Sequence, residues 1–314
     1  MNGTPAPERA AAAAPELIEV SAGVFAWLQP DGSWWINNAG LVVGPQGAAT
    51  IDTCATVART RAYRQAIAEA TDRPVRLVVN THHHGDHTFG NSLFAPATIV
   101  AHERTPEEML AFGLPHGLPF WEPVDWGDLR LDPPMLTYSD GVTLRAGDLR
   151  CHVRHVGTPA HTTNDSIVWL PERSVLFAGD LIFNGGTPFV LMGSVEGTIE
   201  ALRDVVQPLQ ATTIVPGHGP LCGPEAIPRT IAYLEFVLDL ARRATAAGAT
   251  PLQAALDADL GPFAEWLDPE RIVGNLHRAC AELAGLPRGG RIDLVAALTD
   301  MVTWNGGRPL SCRA

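Results

Sequence analysis

Thr81-His82-His83-His84-Gly85-Asp86-His87 is the stretch on which the reading of this chain turns. Four histidines and a carboxylate fall within seven consecutive positions. Imidazole and carboxylate are the side chains that bind zinc and similar divalent ions. The stretch follows an apolar run, residues 75–79, that reads as a buried strand, and a strand ending in a polar turn gives ligands a rigid support. Alternate side chains of an extended segment share one side, so His82 and His84 point together. Gly85 permits a tight turn, after which Asp86 and His87 follow. The spacing therefore allows one metal on His82 and His84 and a second on Asp86 and His87. A solvated histidine-rich loop is the plainer reading. Its place in mid-chain, with an aspartate set inside it, argues against that.

Three later stretches bring the same residue types: Gly157-Thr158-Pro159-Ala160-His161-Thr162, Leu176-Phe177-Ala178-Gly179-Asp180 and Ile214-Val215-Pro216-Gly217-His218-Gly219. An HxHxDH motif followed in order by His, Asp and His resembles the metallo-β-lactamase-fold superfamily, and the resemblance covers most of the chain. It implies that His82, His84 and His161 hold a first metal, that Asp86, His87 and His218 hold a second, and that Asp180 bridges them. It also implies that Asp52, at the close of a strand, supports the ligands by hydrogen bonding. Two zinc ions are the expected cofactors, and iron and manganese suit the same donors. Such a pair acidifies water and polarises a carbonyl, with Asp86 orienting the nucleophile.

Composition narrows the partners. The chain has 314 residues and a net charge of −12, and every basic side chain is arginine. That charge disfavours nucleic acid, which wants a basic face. No apolar run is long enough for a membrane span. Five scattered cysteines form no CxxC pair, which fits a reduced, cytoplasmic setting better than a disulfide framework. Cys54, close in sequence to Asp52, reads as a small buried filler. Residues 1–15, rich in Ala and Pro, read as a disordered lead-in rather than a secretory signal.

Strands are expected at 17–20, 24–28, 34–43, 48–52, 75–80, 98–101, 135–138, 142–144, 149–156, 166–170, 175–178 and 213–215. Helical spacing marks 56–70, 198–209, 227–246, 252–258, 269–284 and 292–302. Strands in two groups with helices outside each give an α/β, four-layer αβ/βα sandwich. We read residues 16–314 as one catalytic domain, with a helical extension over about 224–304. Residues 104–134 form an aromatic, proline-rich insertion with Phe112, His116, Phe120, Trp121 and Trp126, expected as a lid or pocket wall, or else as a satellite core or homodimer contact. Trp34, Trp35, Asn37 and Asn38 are further pocket candidates, although alternation in a strand would send the two tryptophans to opposite faces. His83, His102, His152, His155 and His277 are expected to be structural.

A narrower resemblance bears on function. The segments 29–38, 81–91 and 107–110 look like the metallo-β-lactamase-fold cyclases of bacterial aromatic polyketide pathways. This implies aldol-type ring closure, with or without thioester hydrolysis, on a small-molecule or acyl-carrier-protein-bound polyketide. The alternative is a hydrolase of thioesters or lactones similar to glyoxalase II. A third reading is an iron-dependent redox member such as a persulfide dioxygenase.

Overall fold

The computed structural model describes residues 13–115 and 119–314. Residues 1–12 of the expected lead-in, and His116 in the insertion, lie outside that range. Strands β1 (Glu16–Ser21), β2 (Val24–Leu28), β3 (Ala39–Gly44) and β4 (Gly47–Ile51) form an antiparallel meander. Helix α1 (Val57–Ala70) then crosses back to β5 (Val75–Val79), which lies parallel to β4. A single helical turn, α2 (Gly85–Thr88), follows β5, and helix α3 (Thr105–Phe112) follows β6 (Thr98–His102). β7 (Leu136–Tyr138) closes this sheet parallel to β6. The second sheet runs β12-β11-β10-β9-β8, built from β8 (Gly141–Ala146), β9 (Leu149–His155), β10 (Ser166–Leu170), β11 (Val175–Phe183) and β12 (Thr213–His218). Its one parallel pair is β11 with β12.

The period of two in the strands builds the layers. In β11, Val175 and Phe177 face the first sheet, where they meet Val42, Ile51 and Val79. Leu176 and Ala178 face the other way, into the core shared with the C-terminal helices. The outer face of the first sheet is covered by α1, whose Tyr63 and Ile67 pack on Leu41 and Val78. Thr56 starts that helix by accepting a hydrogen bond from the Arg59 amide. Helices α4 (Val195–Glu200), α5 (Ala226–Ala247), α6 (Pro251–Leu256), α7 (Arg271–Leu283) and α8 (Leu294–Trp304) cover the second sheet. The result is the mixed α/β four-layer sandwich, with its helical C-terminal part, that the strand pattern implies.

Three local expectations need correction. No strand begins at Trp34: the Ile36 amide bonds the Ser33 carbonyl, and Trp35 takes a left-handed φ of 65°, so the chain turns there and β3 starts at Ala39. β11 does not stop at Ala178; it runs fully buried to Phe183 and carries Asp180 within it. The helical region expected at 198–209 starts earlier, where the Ser194 side chain accepts from the Gly197 amide, and then passes through widened turns to Val206.

The two sheets approach closely at Gly40. A Cβ there would run into the Phe177 ring, and the Gly40 carbonyl also receives the buried Tyr63 hydroxyl. Overpacking of a close-packed core commonly costs about 1–3 kcal/mol. Gly40→Ala should lower unfolding stability by that order in a denaturant titration, and unchanged stability would show that the sheets can separate at this point.

Candidate metal centre

The strand ends bring the candidate ligands together. His82 and His84 follow β5; Asp86 and His87 lie in α2; Asp180 lies in β11; His218 ends β12 beside it. His161 sits in the β9–β10 loop, which is tied by Thr162 donating twice to Asp165, from its amide (2.7 Å) and its hydroxyl (2.8 Å). Two ligand sets result: His82, His84, His161 and Asp180; and Asp86, His87, Asp180 and His218. Within each set the ligand atoms lie within 4.8 Å of one another. Asp180 belongs to both, with Oδ1 3.0 Å from His87 Nε2 and Oδ2 3.3 Å from His161 Nε2 and 3.4 Å from His218 Nε2. Gly217 makes room for this carboxylate, since a Cβ there would meet Asp180 Oδ1.

Each imidazole is oriented through the nitrogen that faces away from the centre. His87 Nδ1 donates to Asp52 Oδ2 at 2.8 Å, His218 Nδ1 to the Gly32 carbonyl at 3.1 Å, and His161 Nδ1 to the Phe189 carbonyl. His82 Nδ1 lies 3.0 Å from the Thr81 hydroxyl, which itself donates to Asp52 at 2.7 Å. His84 is turned the other way, with Nε2 3.3 Å from Met192 Sδ and Nδ1 2.8 Å from His161 Nε2. The inward atoms His82 Nε2, His87 Nε2 and Asp180 Oδ1 are buried and make no hydrogen bond despite their closeness. Buried polar atoms left unpaired in this way, with their partner nitrogens fixing the tautomer, fit a pair of divalent metals. Asp52 takes a left-handed φ of 59° and also accepts from the Thr81 amide at 2.7 Å.

The other histidines stand apart. His83 accepts from Asn164 at 3.0 Å on the far side of its segment. His102 stacks on His155, His152 lies 3.0 Å from the Thr143 hydroxyl, and His277 meets Asp300 at 2.8 Å. Cys54 is buried, its Sγ 3.5 Å from Gln29, and burial pushes its thiol up to about 12.

Above the ligands opens a cleft of about 80 Å³. Of the pocket candidates, Trp34, Trp35, Phe112 and Trp121 line it. Trp121 wedges between the first two, with ring centroids 5.8 Å from Trp34 and 5.4 Å from Trp35. The tail holds it there: the Glu122 amide bonds the Leu310 carbonyl, and the Leu310 amide bonds the Phe120 carbonyl. Phe120 and Trp126 support this wall from behind and do not reach the cleft, Trp126 packing against Trp35 at 5.0 Å. Asn37 and Asn38 are corrected as well. Their amides are consumed by backbone, Asn37 by the Thr53 carbonyl and Asn38 by those of Pro216 and Gly219, so Asn38 fastens the first sheet to the end of β12 that carries His218. The remaining wall comes from Phe189, Leu191 and Met192 after β11 and from Leu294 and Leu298 of α8. The apolar run 188–192 between Gly186 and Gly193 was the available signal for the first group.

With this geometry in view, comparison with known proteins is informative. Residues 32–218, more than half of the chain, match the Metallo-beta-lactamase superfamily. The chain belongs to that superfamily. Its metallo-β-lactamase fold resembles the metallo-beta-lactamase from Pontibacter korlensis, with a TM-score of 0.58 and 21% identity over 71% of this chain and 99% of that one. Among curated relatives, a hydroxyacylglutathione hydrolase of Rhodospirillum rubrum is 30% identical over 54% of this chain and 55% of its own. The acyl-coenzyme A thioesterase MBLAC2 of Homo sapiens is 26% identical over 63% of this chain and 81% of its own. A beta-lactamase-like protein 2 homolog of Caenorhabditis elegans is 27% identical over 54% of this chain and 51% of its own. The chain thus spans about half the length of the Rhodospirillum and Caenorhabditis relatives. No helix among the described residues is long and apolar enough to cross a membrane.

The electrostatics of this superfamily member divide the ligands into two groups. Burial, then the neighbouring imidazoles, hold His82 and His84 well below the ordinary histidine value, so both are neutral donors. Burial works the same way on His87 and His218, but the facing carboxylates outweigh it. His87 is held well above its usual value, chiefly by Asp180 and Asp52, and His218 is raised to about 9, chiefly by Asp180. Burial opposes ionisation of Asp86 and Asp180, and the imidazoles, His87 foremost, overcome it and hold both below the carboxylate norm. A metal ligand must be a neutral imidazole, so binding expels the proton from His218. Below about pH 9 that proton competes with the metal, and a proton on His87, also held above its usual value, competes too. Metal affinity should therefore rise by about tenfold per pH unit for each proton displaced, up to at least about pH 9. Chelator competition at several pH values measures this; an affinity flat from pH 6 to about 9 would contradict the assignment.

Proposed function

We propose that this chain is a metal-dependent hydrolase of thioesters carrying an apolar acyl group, with zinc as the metal. The observation that carries the reading is the pair of His/Asp clusters sharing Asp180 at the floor of an apolar, aromatic-walled cleft. Relatives named hydroxyacylglutathione hydrolase and acyl-coenzyme A thioesterase support the reaction class. Imidazole and carboxylate donors favour zinc. His82, His84 and His161 would hold one ion, Asp86, His87 and His218 the other, and Asp180 both. Bound there, the pair supplies Lewis-acid activation of a carbonyl and of water.

The chain's own residues do the rest. Asp86 faces the cleft, with Oδ2 3.2 Å from His218 Nε2, and stays ionised. It accepts a hydrogen bond from the attacking water and orients it toward the carbonyl carbon. The water oxygen forms the new C–O bond, the C–S bond breaks, and the departing thiolate takes the proton that the water gives up. Trp34, Trp35, Phe112 and Trp121 receive the acyl group and keep bulk water off it. The thiol half, carried by coenzyme A or an acyl carrier protein, lies toward the mouth.

The aromatic wall is the one observation that favours a second reading, ring closure of an aromatic polyketide, since ring stacking contributes about 0.5–1.5 kcal/mol per pair beyond area burial. Product analysis with a carrier-bound aromatic substrate decides between the two: free acid and thiol mark hydrolysis, and a cyclised product without thiol release marks ring closure. Asp86→Asn, isosteric but neutral, should lower kcat by about a hundredfold or more while leaving the unfolding midpoint near that of the parent. Near-parental turnover in a fully metallated Asp86→Asn protein would remove Asp86 from the mechanism.

A further inference from the structure

The superfamily match ends at His218, yet α7, far beyond it, reaches back to the metal centre. Arg271, Asn275 and Arg278 fall at i, i+4 and i+7, one stripe of the helix, and all three are 1% exposed or less. Each bonds the backbone of the segment that follows β11. Arg271 Nη1 donates to the Thr187 carbonyl at 2.9 Å. Asn275 Nδ2 donates to the Pro188 carbonyl at 2.8 Å, and Asn275 Oδ1 accepts from the Val190 amide at 2.9 Å. Arg278 donates to the Leu191 carbonyl through Nε at 2.9 Å and Nη2 at 2.7 Å. The residue left in the middle is Phe189. Its carbonyl receives His161 Nδ1, and its ring lies over Gly274, where a Cβ would come 2.8 Å from a ring carbon.

Burying two guanidinium groups and an amide costs several kcal/mol unless their hydrogen bonds are met. An apolar helix face would pack this segment without that cost. What the polar stripe adds is direction, because it fixes the peptides on both sides of Phe189 and so the aim of the carbonyl between them. In the second cluster the imidazoles are oriented by other partners, His87 by Asp52 and His218 by the Gly32 carbonyl.

We propose that Asn275 is a positioning residue for the metal centre: by holding both neighbours of Phe189 it fixes the carbonyl that orients His161, so helix α7 sets the affinity of the cluster formed by His82, His84, His161 and Asp180. The inference rests on the metal centre proposed above, and titration of the unaltered protein tests that centre by itself.

The experiment is titration of metal-free protein with zinc and with cobalt(II) against a chromophoric chelator, resolving two affinities. Asn275→Ala should weaken one affinity by about tenfold, the lower end of the loss expected when an orienting partner of a metal-binding histidine is removed, and leave the other unchanged. The ligand-field bands of cobalt in the weakened site should shift. Tyr233→Phe is the matched control. It removes the buried hydroxyl 3.0 Å from Asn275 Nδ2 and leaves both loop bonds in place, so both affinities should stay at the parental values. Should Asn275→Ala fail to fold, Asn275→Asp, which keeps the side-chain volume and the acceptor for Val190, carries the same comparison. Equal weakening of both affinities, an equal effect of Tyr233→Phe, or parental values throughout would each overturn the proposal. An unaltered protein that takes up no metal would instead refute the metal centre.

Discussion

Three carboxylates, Asp52, Asp86 and Asp180, are buried among five imidazoles, and a charge removed from water must be met on every side. That requirement organises the molecule. Asp52 is satisfied by His87, the Thr81 hydroxyl and the Thr81 amide. Asp180 is wedged between strands that only a glycine at 217 allows to approach. The segment after β5, the β9–β10 loop, β11 and the end of β12 all deliver donors to the same small volume. A shift of one residue in β11 would turn Asp180 into the hydrophobic layer and leave the imidazoles facing one another.

The site was legible in the sequence to the extent that its chemistry is local. His82, His84, Asp86 and His87 announce themselves by spacing, and His161, Asp180 and His218 follow in the order the family resemblance implies, although Asp180 lies within its strand and His161 in a loop. The layers were legible for the same reason, since a period of two assigns Val175 and Phe177 to one side and Leu176 and Ala178 to the other. The cleft wall was harder to read. Trp34 and Trp35 share a cavity only because Trp35 adopts a left-handed backbone, which no periodicity reveals for a bulky side chain. Asn37 and Asn38 look like binding residues in sequence, but their amides are already engaged by carbonyls distant in the chain. Leu294, Leu298 and Arg271 gave no local signal at all, because their place in the cleft depends on how α7 and α8 pack.

The chain is therefore composed of parts with different duties. The two sheets supply a reactive floor shared across the superfamily, and that floor alone says little about substrate. The walls come from elsewhere: the turn before β3, the insertion and the tail that pairs with it, the segment after β11, and α8. Apolar walls around a polar floor are a common way for a pocket to select the body of a ligand while leaving its reacting group free to move into place.

The placement of α7 also has a consequence in time. A nascent chain that has just released His218 from the ribosome already carries every candidate ligand, but the stripe formed by Arg271, Asn275 and Arg278 is still unmade. Until it emerges, the Phe189 peptide has neither of its flanking partners, and His161 has a carbonyl whose direction is not yet set. Both sheets can be assembled first, as N-terminal parts generally are during synthesis. The candidate metal centre is set late, by a helix that contributes no ligand to it.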